Sequence, residues 1–138
     1  MSDSDVKTGS QEYVFKRDSG GRLRLIGDFE GYYRDHSDPW GQSGNDERMR
    51  EYYQYSRSTL IEMIRRHGPF RSMIEAGCGH GYVTRMLAEA FPDVTVSGID
   101  VSATAAGQAQ RFFPDLNFRQ GDIAAVEPPV ADIYDVVI

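Results

Sequence analysis

The chain has 138 residues, enough for one domain with a core and too few for two. Its 40% hydrophobic and 26% charged residues suit a soluble fold, while a net charge of −6 argues against a nucleic-acid partner, which requires a concentrated basic surface that Arg65-Arg66 is too short to supply. No apolar run approaches the ~18–20 residues that span a bilayer, no secretory signal is visible, and the single cysteine, Cys78, permits neither an internal disulfide nor a cysteine metal cage, so a cytoplasmic setting is expected.

Residues 1–11 are polar and read as a disordered tail. Two short β-prone runs, residues 13–16 and 22–26, flank Asp18-Ser19-Gly20-Gly21 and predict a small hairpin. Residues 27–47 hold Phe29, Tyr32, Tyr33, His36 and Trp40 and read as an irregular aromatic segment containing Asp38-Pro39-Trp40-Gly41. Over 48–66 the spacing predicts a helix, with Tyr53, Leu60, Ile61 and Ile64 on one stripe and Gly68-Pro69 as the stop. Arg57 lies on that apolar stripe, where a charge needs a partner. Residues 12–70 are thus expected to form an N-terminal hairpin, aromatic segment and helix that cover the C-terminal half of the chain.

From 71 to 138 strands and helices alternate. Residues 72–75 are a short strand that runs into glycines. Val83, Met86, Leu87, Ala90 and Phe91 fall on one helical face. Residues 94–99 are β-branched, and Ser102 caps a helix that reaches Phe113 and stops at Pro114. Residues 116–120 and 133–138 are the third and fourth strand candidates. Strands separated by helices imply right-handed crossovers, and hence an α/β fold: a doubly wound parallel sheet with helices on both faces.

The informative stretch is Glu75-Ala76-Gly77-Cys78-Gly79-His80-Gly81, between a strand and an amphipathic helix. Glycines let a ligand approach the backbone, and the helix start offers unpaired N–H groups. A dinucleotide fingerprint needs its third glycine at 82, where Tyr82 stands, and no Gly-Lys-Ser/Thr follows for a phosphate loop. An acid two residues before Gly-x-Gly-x-Gly resembles the first motif of class I S-adenosylmethionine-dependent methyltransferases, of the small-molecule type.

That resemblance implies a Rossmann-like fold, S-adenosyl-L-methionine as cofactor and a set of contacts. Glu75, Gly77, Cys78, Gly79 and Gly81 would form the cofactor loop, with Glu75 orienting it. Asp100, ending the second strand beside Val101, would accept hydrogen bonds from both ribose hydroxyls. Asp122 would face the adenine amino group, with the Ile123 amide against the ring. An acidic pocket suits a sulfonium and an ammonium better than a pyrophosphate. The family's sheet has seven strands, and only the first four are supplied. The chain is therefore expected to be truncated after the fourth, leaving Val136, Val137 and Ile138 on an open edge where a second copy or another chain could pair.

The remaining candidates have simpler readings. Cys78 is expected to pack, and His36, His67 and His80 make no metal site. Tyr32, Tyr33, Trp40, Tyr52, Tyr53 and Tyr55 are expected to pack the leading helix on the sheet, with a lid over the cofactor as the alternative. Arg57, or Tyr55, is expected to meet the cofactor's carboxylate. The implied reaction is methyl transfer to a small-molecule O or N acceptor, with no assignable base. Two alternatives stay open: an inactive cofactor-binding module that pairs with another subunit, and a nucleotide- or NAD-binding protein of related fold.

Overall fold

The computed structural model describes residues 10–138. Of the expected tail, residues 1–9 lie outside the described residues, and residues 10 and 11 open a short helix, α1 (Ser10–Val14). The first strand therefore begins later than expected. Tyr13 and Val14 are both buried, and consecutive inward side chains cannot alternate as a strand requires. The hairpin itself forms as β1 (Phe15–Arg17) and β2 (Leu23–Leu25), paired antiparallel with Phe15 opposite Leu25. Its turn is organised by Asp18, whose carboxylate accepts from the Gly20 and Arg22 amides at 2.9 and 3.0 Å.

The aromatic segment is not irregular throughout. It contains α2 (Phe29–Asp35), which starts where the Asp28 side chain accepts from the Gly31 amide. Glu30 in its first turn and Arg34 in its last suit the helix dipole. Tyr32 of this helix packs on Tyr13, Val14 and Trp40 as a small separate core. Helix α3 (Glu47–Arg65) follows, capped by Asp46.

The main sheet has the order β5-β4-β3-β6, all parallel: β3 (Ser72–Ala76), β4 (Thr95–Asp100), β5 (Asn117–Gln120) and β6 (Val136–Val137). Between them run α4 (Tyr82–Ala90) and α5 (Ala103–Phe112), then a 3₁₀ turn (Ile123–Ala125) and α6 (Val130–Ile133). The fourth strand is shorter than expected, because Ile133 ends α6 and is half exposed. Asp135 sets its register instead, accepting from the Arg71 and Ser72 amides at 2.7 and 3.2 Å.

The two sheet faces divide the core. On one, Met73 and Val96 meet Leu87 of α4 and Ile64 and Leu60 of α3. On the other, Ile74 and Ile99 are covered by Ile123, Val126 and Tyr134. This is the doubly wound arrangement expected from the alternation of elements. Met73, Ile74, Leu87 and Ile99 are at most 1% exposed, and each such burial is worth about 1.5–3 kcal/mol. An exposed ion pair such as Arg85 with Asp115 contributes about 0–1 kcal/mol. The apolar faces hold the fold.

Candidate cofactor pocket

The parallel register brings the C-terminal ends of β3, β4 and β5 side by side. The chain after β3 turns sharply across the end of β4, where the Gly77 and Cys78 amides both donate to the Ile99 carbonyl, at 2.8 and 3.1 Å. Gly77, Gly79 and Gly81 all have positive φ, of 69°, 53° and 83°. At Gly77 a Cβ would meet nothing within 4 Å, so the bare backbone faces open space. At Gly79 it would lie 2.5 Å from the Tyr33 hydroxyl, and at Gly81 2.6 Å from the Phe118 ring. One glycine thus opens the loop to the cavity, and the other two let neighbouring rings close on it.

Asp100 fastens this loop. It is 5% exposed, and one carboxylate oxygen accepts from the Gly79 amide at 2.8 Å while the other accepts from the Ser102 amide at 2.8 Å. Ser102 caps α5 by accepting from the Ala105 amide, and its hydroxyl donates to Glu30 of α2 at 2.6 Å. Glu30 also accepts from the amide and the hydroxyl of Thr104, and these donors hold its carboxyl below the usual range. A continuous chain of hydrogen bonds therefore ties the glycine loop, through Asp100 and Ser102, to the N-terminal cover.

A cavity of about 490 Å³ lies over these strand ends. Its floor is Gly77, Asp100, Val101, Gly121, Asp122 and Ile123, and its walls are Phe29, Tyr33, Trp40, Gln42 and Tyr53. Asp122 accepts from the Ala124 amide at 2.9 Å, which starts the 3₁₀ turn and holds Ile123 at the rim. The aromatics thus divide. Tyr32 packs inward, whereas Tyr33, Trp40 and Tyr53 wall the cavity, and Tyr52 is exposed.

Behind the floor sits Glu75, buried between β3 and α4, with its carboxylate accepting from the hydroxyl of fully buried Thr84. Burial pushes its pKa from 4.5 up to about 7, against the opposing hydrogen bond from Thr84. The folded protein then holds a proton that the unfolded chain releases, so this group's effect on stability turns unfavourable as pH rises from about 4.5 to 7. Glu75→Gln keeps a partner for Thr84 without the charge. It is expected to remove roughly 2 kcal/mol of that decline between about pH 5 and pH 8. Urea unfolding of variant and wild type across this range measures it, and parallel pH profiles for the two proteins would contradict it.

The structure brings Gly77, Asp100, Val101, Asp122 and Ile123 to the cavity and sets Glu75, Gly79 and Gly81 directly behind it. Cys78 is 2% exposed, packs against Gly98 and does not line the cavity, and burial pushes its thiol pKa up. His80 is buried between Tyr33 and Phe112, and burial lowers its pKa. Tyr55 is 77% exposed, beside Ser58, Thr59 and Glu62 on the outer side of α3, because it lies two residues off the inward stripe. The structure does not bring it to the pocket. Arg57 does not line the cavity; it lies over the Tyr53 ring and is bonded to the Gln42 carbonyl, two residues that do. Phe29, Glu30 and Gln42 were not legible as site residues. The signal for Phe29 and Glu30 was the Asp28 cap, which marks a helix start beside the acid that reaches Ser102.

Residues 73–138 match the family described as methyltransferase domain. The malonyl-[acyl-carrier protein] O-methyltransferase of Halalkalibacterium halodurans is 34% identical over 73 residues, covering 49% of this chain and 27% of that protein. The trans-aconitate 2-methyltransferase of Deinococcus radiodurans is 43% identical over 56 residues, covering 40% and 22%. The chain thus spans about a quarter of the length of these curated relatives. In fold it is similar to the magnesium protoporphyrin IX methyltransferase of Synechocystis PCC 6803, solved with bound SAM. That likeness has a TM-score of 0.61 at 23% identity and covers 78% of this chain and 57% of the other. Among the described residues, no helix is long and apolar enough to cross a membrane.

Proposed function

We propose, from the match of residues 73–138 to the methyltransferase-domain family, that the chain is the cofactor-binding portion of a class I S-adenosylmethionine-dependent methyltransferase and binds S-adenosyl-L-methionine for methyl transfer to a small-molecule O or N acceptor. The observation that carries the reading is the cavity floor: a bare backbone at Gly77 flanked by the carboxylates of Asp100 and Asp122. The donor set fits the cofactor's chemistry. Among the described residues neither lysine nor arginine lines this cavity, as a pyrophosphate would want, whereas acids suit a ligand with a sulfonium and an ammonium.

Each residue then has a task. Asp100 spends one lone pair of each oxygen on an amide and keeps the others for a ribose hydroxyl pair. Asp122 and the Ile123 backbone suit the adenine end, and Gly77, with Glu75 behind it, suits the methionyl end. When bound, the sulfonium compound supplies a methyl group already activated toward nucleophiles. The chain's work is accordingly to orient and to exclude water, which the Phe29, Trp40 and Tyr53 walls do on the cover side. A cytoplasmic setting belongs to the same reading, as does a small molecule rather than a nucleic acid as acceptor, the chain's charge of −6 disfavouring a phosphate backbone.

Calorimetric titration of the 138-residue chain with S-adenosylhomocysteine and, separately, with NAD tests the proposal. Saturable binding of the first, at least about tenfold tighter than the second, is expected. Equal affinities, or heat with NAD alone, would overturn it.

A further inference from the structure

Glu30 is an exposed residue whose carboxylate is nonetheless committed. One oxygen accepts from the Ser102 hydroxyl at 2.6 Å and from the Thr104 amide at 3.1 Å, and the other accepts from the Thr104 hydroxyl. These donors stand at the cap and first turn of α5, an end that favours negative charge. Glu30 does not line the cavity, although Phe29 before it and Tyr33 one turn further on both do.

The bond from Ser102 has a consequence at the cavity floor. Ser102 is 1% exposed, and its hydroxyl oxygen is held in place by accepting from the Ala105 amide at 3.0 Å. Only its single proton can choose a direction, and a buried hydroxyl must give that proton to something. The Ser102 amide is already bonded to Asp100 at 2.8 Å, so Asp100 is the carboxylate beside it on the cavity side. With the proton on Glu30, each Asp100 oxygen carries one amide bond and keeps an open lone pair.

We propose that Glu30 is a positioning residue for cofactor binding, which draws the Ser102 proton away from Asp100 and so keeps the Asp100 carboxylate free for the ribose hydroxyls. The proposal rests on the reading of Asp100 as the ribose acceptor. Without an acceptor at position 30, the Ser102 hydroxyl turns to Asp100 and competes with the sugar for the same lone pair. The ligand then loses affinity through a residue that it never touches.

A loosened cover would weaken every ligand alike, so the test is the preference for a ribose. Wild type, Glu30→Ala, Glu30→Met and Glu30→Gln are titrated calorimetrically with S-adenosylhomocysteine and with its 2′-deoxy analogue, at a temperature where each protein is folded. Wild type is expected to prefer the ribose ligand by at least about tenfold, the scale of a hydrogen bond to a charged group. Glu30→Ala and Glu30→Met, the second with a side chain long enough to keep Ser102 covered, are expected to cut that preference at least about threefold, the scale of one net hydrogen bond. Glu30→Gln is expected to retain it within about twofold, because the amide oxygen still accepts from Ser102 while its NH₂ group donates to the Thr104 hydroxyl. An unaltered preference in Ala and Met, including an equal loss for both ligands, overturns the proposal, as does a Gln variant that falls as far as Ala. No ribose preference in wild type overturns the reading of Asp100, and no binding of either ligand overturns the cofactor reading itself.

Discussion

Gly81→Ala is expected to destabilise the domain by about 2–4 kcal/mol, the sum of a left-handed backbone forced on a residue with a Cβ and of overpacking a filled site. Gly81 has a φ of 83° and is the residue from which α4 starts. An added Cβ would lie 2.6 and 2.8 Å from two atoms of the Phe118 ring and 3.1 Å from the Ala109 Cβ. The ring cannot swing aside freely, because Phe118 is in β5, where its amide donates to the Gln110 side chain of α5. The clash therefore spreads to the contact of α5 with the sheet. Urea unfolding of variant and wild type measures the loss, and a cost below about 1 kcal/mol would show that Phe118 does not constrain the loop.

Asp100→Asn comes second. The carboxylate accepts two buried amide bonds with two oxygens, whereas an amide side chain offers one acceptor and one donor. Either the Gly79 or the Ser102 amide must then face an N–H group. Leaving one buried amide unbonded and losing its charge-assisted partner costs about 2–4 kcal/mol. The effect reaches beyond stability, because Ser102 carries the link to Glu30. Affinity for S-adenosylhomocysteine is expected to fall at least about tenfold together with stability. A variant that unfolds like wild type but binds less tightly would mean that Asp100 touches ligand without bracing the loop.

Much of the sheet could be read from sequence because its signals are local. The helical face at Val83, Met86, Leu87 and Ala90, the Ser102 cap and the stop at Pro114 each act within a few residues, and each recurs in the structure. The parallel direction of the strands likewise follows from alternation and crossover rules, whereas their order does not. What escaped depends on contacts distant in sequence. Whether Tyr32 or Tyr33 faces the cavity is set by how α2 packs on α1 and α5, and adjacent residues on a short helix give no periodicity to decide it. Tyr55 shows the same limit from the other side: its aromatic ring made it a candidate, and its position two residues from Arg57 turned it outward. Glu30 is 72 residues from Ser102, and no spacing rule connects them.

The site residues on the floor stand at the ends of three parallel strands paired in register or within three residues beyond them. Side chains in a strand switch faces at every step. Gaining or losing a single residue inside β4 would turn the Asp100 carboxylate through the sheet, whereas the segments joining one strand to the next can lengthen or shorten without moving it. Among descendants of this sequence, insertions and deletions are thus confined to the connections, and the strands behave as rulers of fixed length.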